Sequence, residues 1–126
     1  MAIRLVTLSA ELNALAIVLG DGAKMLLPAE LLRVYSKAER TARERREGWR
    51  FPPGKAGVRL YQVKPVGRYG VQCWFDDLHS AGIYTWPMLL DMTRRKRAYM
   101  REYLSSLRED GLTRHVKVAR ASRRRV

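Results

Sequence analysis

The segment Lys64–Trp86, KPVGRYGVQCWFDDLHSAGIYTW, holds the densest aromatic and acidic chemistry of the chain and is central to its fold. Val71, Cys73 and Phe75 lie at every second position of this segment. A period of two is typical of a strand with two different faces. The glycines that bracket residues 68–69 predict a tight reversal before the strand, because glycine tolerates turn conformations.

The residues after this strand predict a turn, a second strand and a helix. Residues 76–80 are polar, and residues 82–86 resume an extended pattern. Pro87 suits the first turn of a helix, with Thr85 or Trp86 near the N-cap, because a backbone N–H has no partner at that position.

Asp76, Asp77 and His79 fall together at the predicted hairpin tip and form a candidate site. The two aspartates fit a paired acid and base, but such carboxylates more often organise a turn by accepting hydrogen bonds from backbone amides. A lone histidine is more often a structural or surface residue than a ligand. Arg33, at the end of a predicted short helix, is expected to pair with Asp76 or Asp77.

The charge of the chain is high and unevenly distributed. The 126 residues carry 25 Lys and Arg against 12 Asp and Glu, a formal net charge of +13. Residues 37–68 and 94–126 are basic, whereas residues 69–93 contain three Asp and no Lys or Arg. A field of this size favours nucleic acid, an anionic membrane or an acidic protein as partner. The alternative is a solvated basic surface that serves solubility alone.

Length and composition limit the class of protein. The length suits one domain with a modest core, and 47% hydrophobic residues fit a folded chain. The apolar runs are too short to span a membrane, and the N-terminus lacks the features of a signal peptide. The single cysteine, Cys73, fits a reducing compartment. A cytoplasmic location is therefore expected.

The N-terminal part of the chain predicts three strands and a short helix. Strands are expected from Ile3 to Leu8, over residues 14–19 and over residues 24–27. Gly20-Asp21-Gly22 predicts the hairpin turn, because glycine accepts positive φ. The helix is expected over residues 28–35.

The middle of the chain is less regular. Residues 36–50, rich in Ala, Glu and Arg, fit either an exposed helix or a mobile loop. Residues 51–55 predict a stiff turn. Residues 58–63 predict a strand that reaches Pro65, which cannot donate a hydrogen bond to a neighbouring strand.

After Trp86 a single helix is expected to about Arg108, since apolar residues recur at steps of three and four. Gly111 suits the end of this helix. Residues 112–126 are rich in Arg with few apolar residues, so disorder or folding on contact is expected there. The candidate polyanion-binding residues of the helix are Arg94, Arg95, Lys96, Arg97 and Arg101.

The central segment, with PPGK at residues 52–55, resembles the signature of the gamma-butyrobetaine hydroxylase-like N-terminal domain family. Residues 20–22 and LPAELLRVYS at residues 27–36 fit the same family in the same order. The resemblance covers residues 1–93 and leaves residues 94–126 as a basic extension. It implies an α+β domain with mostly antiparallel strands. Taken with the periodicity above, the expected fold has a short helix after the first hairpin and a longer C-terminal helix.

The family also implies a class of function. In gamma-butyrobetaine and trimethyllysine hydroxylases a similar domain precedes the catalytic jelly roll and binds a structural zinc. In other proteins it is attached to P-loop ATPases that resemble iron–sulfur cluster carriers. The resemblance therefore implies a helper domain with an unidentified protein partner, such as an iron–sulfur carrier ATPase.

The zinc ligands of the family do not transfer to this chain. The family's three cysteine positions correspond to Ser36, Ala38 and Thr41, and only His79 is retained. Because zinc needs four ligands, usually thiolate or imidazole, we expect no bound zinc and no other cofactor.

The residue inventory argues against an enzyme. An iron-dependent oxygenase needs two histidines and a carboxylate, and the chain has only His79 and His115. The sequence contains no P-loop motif for a nucleotide. Cys73, with no base predicted beside it, is interpreted as an apolar strand residue.

The sequence therefore predicts a non-catalytic protein-interaction module. A link to iron–sulfur or metallocofactor assembly rests on the family resemblance alone. The alternative is polyanion binding, including nucleic acid, through residues 37–68 and 94–126. The partner, the oligomeric state and any small ligand stay open. The candidate interaction surface comprises Arg33, Asp76, Asp77, His79, Tyr84 and Trp86.

Overall fold

The computed structural model describes residues 2–36, 50–77 and 82–115, and it shows two three-stranded antiparallel sheets with helices. The α+β class and the order of the elements agree with the sequence prediction. The elements are β1 Ile3–Ser9, β2 Ala14–Leu19, β3 Lys24–Pro28, α1 Ala29–Val34, β4 Leu60–Val66, β5 Gly70–Phe75, β6 Gly82–Thr85, α2 Trp86–Arg94 and α3 Lys96–Glu109.

The first sheet has the strand order β1-β2-β3. Its register places Ile17 opposite Val6 on one side and Met25 on the other. The predicted hairpin forms between β2 and β3: Gly22 has a φ of 90° and donates its N–H to the Leu19 carbonyl at 2.9 Å. Glycine adopts this positive φ without the steric cost that a Cβ atom would bring.

The second sheet has the order β4-β5-β6. Val71, Cys73 and Phe75 of β5 are buried, which confirms the two-faced strand. The expected end of β4 was wrong by one residue, since the strand continues through Pro65 to Val66. Proline is tolerated because β4 lies at the edge of its sheet, where a backbone N–H needs no strand partner.

Both sheets and the helices α1, α2 and α3 contribute to one hydrophobic core. The predicted boundary between residues 93 and 94 falls within α2, and α3 beyond it packs in the same core. Large and fully buried core side chains include Leu15, Ile17, Leu31, Leu32, Phe75, Tyr84, Leu89, Met92, Tyr103 and Leu107.

The long C-terminal helix expected from the sequence is two helices. Arg95 interrupts it with φ −119° and ψ 31°, outside the helical region, so that α2 ends and α3 begins around this residue. The start of α2 agrees with the prediction, since the Thr85 hydroxyl accepts a hydrogen bond from the Met88 N–H at 3.4 Å. Thr85 therefore acts as the N-cap residue.

The end of α3 also agrees with the prediction. Gly111 has a φ of 70° and donates its N–H to the Arg108 carbonyl at 3.1 Å. The Leu112 N–H bonds to the Leu107 carbonyl at 2.8 Å. These two bonds form a Schellman motif, in which a glycine after the helix satisfies the last carbonyls.

The expected disorder of the tail was wrong for residues 112–115, which pack back onto the fold. The carbonyls of Thr113 and Arg114 accept hydrogen bonds from the Gly54 and Ala56 N–H groups at 2.9 and 2.8 Å. The Arg114 side chain pairs with the buried Glu30. The predictions for residues 37–49 and 116–126 lie outside the described residues.

The helices that the structure describes do not have the length and apolar character that crossing a membrane requires.

Candidate functional site

Asp76 follows β5 and bonds to Arg59, the residue that precedes β4. Its Oδ1 accepts a hydrogen bond from the Arg59 N–H at 3.1 Å, and its own N–H donates to the Arg59 carbonyl at 3.0 Å. The carboxylate bonds a backbone amide, as expected, but that amide belongs to the residue before β4 and not to the turn itself.

Asp77 forms the ion pair that was expected for one of the two aspartates. The Nε of Arg33 lies 3.1 Å from both carboxylate oxygens, and Lys55 Nζ lies 2.5 Å from Oδ2. The Arg33 side chain is 6% exposed and that of Asp77 is 25% exposed. Two cations thus neutralise Asp77, and the cluster holds α1 and residue 55 against the end of β5.

The proposed interaction surface is not assembled as predicted. Arg33 and Tyr84 are buried and cannot touch a partner, so their assignment to an exposed surface was wrong. The Tyr84 hydroxyl donates to the Leu32 carbonyl at 2.5 Å, and burial raises the pKa of this phenol. The half-buried Trp86 donates its indole N–H to the Arg68 carbonyl at 2.9 Å. His79 lies outside the described residues.

The first position of the family's zinc ligands does not fit a metal in this chain. Ser36 is buried, and its hydroxyl is hydrogen-bonded to the Tyr84 phenol. A Cβ atom at Gly82 would lie 2.7 Å from the Ser36 Oγ, so this region is closely packed. The other positions, Ala38, Thr41 and His79, fall outside the described ranges. Within those ranges, no three His, Cys, Asp or Glu side chains form a group able to hold a metal ion.

Cys73 is fully buried on β5. Burial raises the pKa of its thiol to about 12, so the thiol stays protonated near neutral pH. Because the thiolate is the reactive form, Cys73 acts as an apolar side chain in the described fold.

The cations at the junction of α2 and α3 surround a groove. Arg94, Arg95 and Arg97 are exposed, and Lys96 is half-buried. They line a cavity of about 690 Å³, which we call the basic groove. Arg101 follows Arg97 by one helical turn and is exposed on the same face of α3. The remaining lining residues are Met25, Thr93, Ala98 and Met100.

The electrostatics of the basic groove favour an anion. The first turn of α3 contains no acidic residue, and its N-cap residue, Arg95, makes no side-chain capping bond. A cation near a helix N-terminus is unfavourable by about 0.3–1 kcal/mol because the helix dipole is positive there. In the described part of the chain, no carboxylate forms an ion pair with Arg94, Lys96 or Arg97. A bound anion would relieve this repulsion.

Arg95 differs from the other cations of the groove because it is tethered. Its Nη1 lies 3.3 Å from Asp91 Oδ2, and its guanidinium lies 5.6 Å from the centre of the Tyr99 ring. The Tyr99 hydroxyl also donates to Asp91. Burial and this bond raise the pKa of Tyr99 to about 12. Of these contacts, the bond from Tyr99 to Asp91 joins α3 to α2.

A buried cluster of Glu30, Tyr103 and Arg114 was missed in the sequence. Glu30 is 6% exposed and accepts hydrogen bonds from the Tyr103 hydroxyl at 2.6 Å and from Arg114 Nε at 2.8 Å. Burial opposes the charge of Glu30, but the bonds to Arg114 and Tyr103 outweigh it, and its pKa lies below the usual 4.5. No local pattern relates Arg114 to a residue of α1, so the sequence held no signal for this contact.

Comparison with protein families gives a match over most of the chain. The model described as "Gamma-butyrobetaine hydroxylase-like, N-terminal" matches residues 6–90. No curated protein matches the chain at a significant level.

Two solved structures, one from NMR and one from crystallography, are similar to this fold. One solution structure determined by NMR has 29% identity and a TM-score of 0.77, and the alignment covers 94% of this chain and 93% of that one. A crystal structure from Acidithiobacillus ferrooxidans has 27% identity and a TM-score of 0.57, with 73% of this chain and 92% of that chain covered. The second protein is of unknown function and belongs to the DUF971 family.

Proposed function

The chain belongs to the gamma-butyrobetaine hydroxylase-like N-terminal family, and from this premise we propose that it is a non-catalytic binding module for an anionic partner. The basic groove is the single observation that supports this proposal most strongly. It gathers four cations around about 690 Å³, and concave sites of about 300–1,000 Å³ are the usual size for ligand binding.

The reactive side chains support a non-catalytic role. Asp77 is neutralised by Arg33 and Lys55, Glu30 is closed off by Tyr103 and Arg114, and the Cys73 thiol is buried. Each of these groups serves the packing of the described fold. A general acid, general base or nucleophile instead has to reach a substrate.

An acidic protein surface is the leading partner, in line with a protein-interaction module. The cytoplasm is the expected place of action. The link to an iron–sulfur carrier ATPase rests on the family resemblance alone and stays a prediction. Nucleic acid is the second candidate, favoured by the net charge of +13, because cations that neutralise phosphates release counterions on binding.

The proposal is tested with two labelled polyanions, a poly-glutamate peptide and a DNA oligonucleotide, by fluorescence anisotropy at several salt concentrations. The variant Arg94→Gln/Lys96→Gln/Arg97→Gln is expected to weaken binding of the preferred polyanion by about tenfold or more. Binding should also weaken as salt rises, since exposed charges are screened.

A matched control removes the same number of charges elsewhere. The variant Arg4→Gln/Lys64→Gln/Arg68→Gln changes three exposed cations outside the groove and is expected to bind nearly as well as the unmodified protein. Equal losses in the two variants would reject the groove as the site and leave only a diffuse charge effect. Failure of both polyanions to bind the unmodified protein would reject the function itself.

A further inference from the structure

The lining of the basic groove combines apolar side chains with its cations. Met25 of β3 and Ala98 of α3 are half-buried there. Met100 is half-buried as well and packs against the hydrophobic core. A ligand that fills the groove therefore meets thioether and methyl groups between positively charged side chains.

This combination does not match a nucleic-acid backbone. Its phosphates pair with cations, but the backbone has no apolar side chain to cover the two methionines. Proteins that bind single strands add aromatic side chains on which bases stack. The part of the groove lining that the structure describes offers Met, Ala and Thr beside its cations instead.

We propose that the basic groove receives an acidic amphipathic segment of a protein partner. An apolar side chain of this segment packs between Met25 and Met100, and flanking carboxylates pair with Arg94, Lys96 and Arg97. This inference rests on the proposed function and names the chemistry of its partner. Methionine suits the role because its flexible, polarisable side chain adapts to different apolar groups.

The construction of the groove supports a defined docking site. Apart from Arg95 at the helix junction, its residues come from β3, α2 and α3, which are regular elements, and sites on such elements are held more precisely than sites on loops. The Tyr99 hydroxyl of α3 donates to Asp91 of α2, which links the two helices across their junction. An amphipathic helix that lays its apolar face into a groove is a recurrent mode of peptide recognition.

The test compares three labelled probes by fluorescence anisotropy. The first is a helical peptide of Glu and Ala that carries Leu at every third or fourth position, so that the leucines share one face. The second is the same peptide with each Leu replaced by Ser, which keeps the charge. The third is a DNA oligonucleotide of equal charge. The leucine peptide is expected to bind about tenfold more tightly than either of the others.

Two variants of the protein locate the apolar contact. Met25→Gln is expected to remove the advantage of the leucine peptide over the serine peptide. Leu26→Gln is the matched control on the same strand, where Leu26 is 37% exposed and is not part of the groove lining. This control should keep the advantage. Melting temperatures close to that of the unmodified protein would show that neither change unfolds the protein.

The outcomes separate the inference from the proposed function. Equal binding of the two peptides, lost in Arg94→Gln/Lys96→Gln/Arg97→Gln, would overturn the apolar contact while supporting the anion-binding function. Tighter binding of DNA than of the leucine peptide would overturn the inference in favour of nucleic acid. Loss of the leucine advantage in both Met25→Gln and Leu26→Gln would also overturn it. No binding of any probe would reject the proposed function together with the inference.

Discussion

At the scale of single residues, Asn13 joins the two sheets. It lies in the turn between β1 and β2 with a φ of 52°, a conformation that Asn accepts more readily than most residues. Its Nδ2 donates to the Val58 carbonyl at 2.8 Å, and its Oδ1 accepts from the Leu60 N–H at 2.9 Å. One side chain thus satisfies two backbone groups at the start of β4.

Gly70 provides a prediction at the same scale, because strands β5 and β6 approach too closely there for a side chain. A Cβ atom at this position would lie 2.0 Å from the Tyr84 carbonyl oxygen and 2.8 Å from the Thr85 Cα. Both neighbours are backbone atoms and have little freedom to move. Gly70→Ala is therefore expected to lower the free energy of unfolding by about 3 kcal/mol or more, measured by urea denaturation.

Gly57→Ala is the control for Gly70→Ala, since a Cβ atom at Gly57 meets nothing within 4 Å. Its free energy of unfolding should change by less than about 1 kcal/mol. Equal stability of the two variants would show that the strands separate at Gly70 without cost.

At the scale of elements, α1 depends on contacts with distant segments. It has only six residues, and isolated helices shorter than about 12–15 residues are marginal in water. Glu30 in its first turn is bonded to Tyr103 of α3 and to Arg114. Tertiary contacts therefore hold α1 in place. They also keep the Glu30 carboxylate charged although it is buried.

The Glu30 cluster predicts a pH-dependent loss of stability. Because the pKa of Glu30 is lowered below 4.5 in the folded state, its stabilisation is present above pH 4.5 and is lost as the pH falls through the folded-state pKa. In Arg114→Gln the Glu30 carboxylate loses its cationic partner. Its burial should then raise its pKa. We expect this variant to lose about 2 kcal/mol at neutral pH, since the pair is partly exposed to solvent.

The measurement for Arg114→Gln is the free energy of unfolding from neutral pH to below pH 4.5, relative to the unmodified protein. The difference between the two proteins should shrink as the pH falls. Arg108→Gln removes an exposed arginine and should show a small difference that does not depend on pH. A constant difference for Arg114→Gln would contradict the assignment.

At the scale of the whole molecule, the chain closes on itself after α3. Residues 113–114 bond to the backbone of residues 54 and 56, and Arg114 reaches across to α1. The segment that follows α3 therefore ties the N-terminal and central parts of the fold together.

Truncation tests this closure. A chain that ends at Gly111 is expected to melt about 10 °C lower than a chain that ends at His115, because it loses the Glu30–Arg114 pair and three backbone hydrogen bonds. Differential scanning calorimetry of the two proteins measures the difference. Identical melting temperatures would mean that residues 112–115 add nothing to stability.

Much of the fold could be predicted from the sequence because its elements depend on neighbouring residues. The alternation at residues 71–75 defines a two-faced strand, and the glycines at positions 22 and 111 fit the positive φ that their turns require. The pairing of Arg33 with an aspartate was also expected. The candidate surface was less predictable, since Arg33 and Tyr84 are polar in sequence and buried in the structure.

By itself, the sequence determined the class of fold, the order of its strands and helices, and the concentration of cations after α2. Only the tertiary structure decided that the helix breaks at Arg95, that Met25 joins those cations in one groove, and that residues 112–115 pack onto the fold. The physical reason is the separation of the partners along the chain: Arg114 bonds to Glu30 across 84 residues. A local sequence pattern cannot reveal a contact between residues so far apart. They become neighbours only when the core brings their segments together.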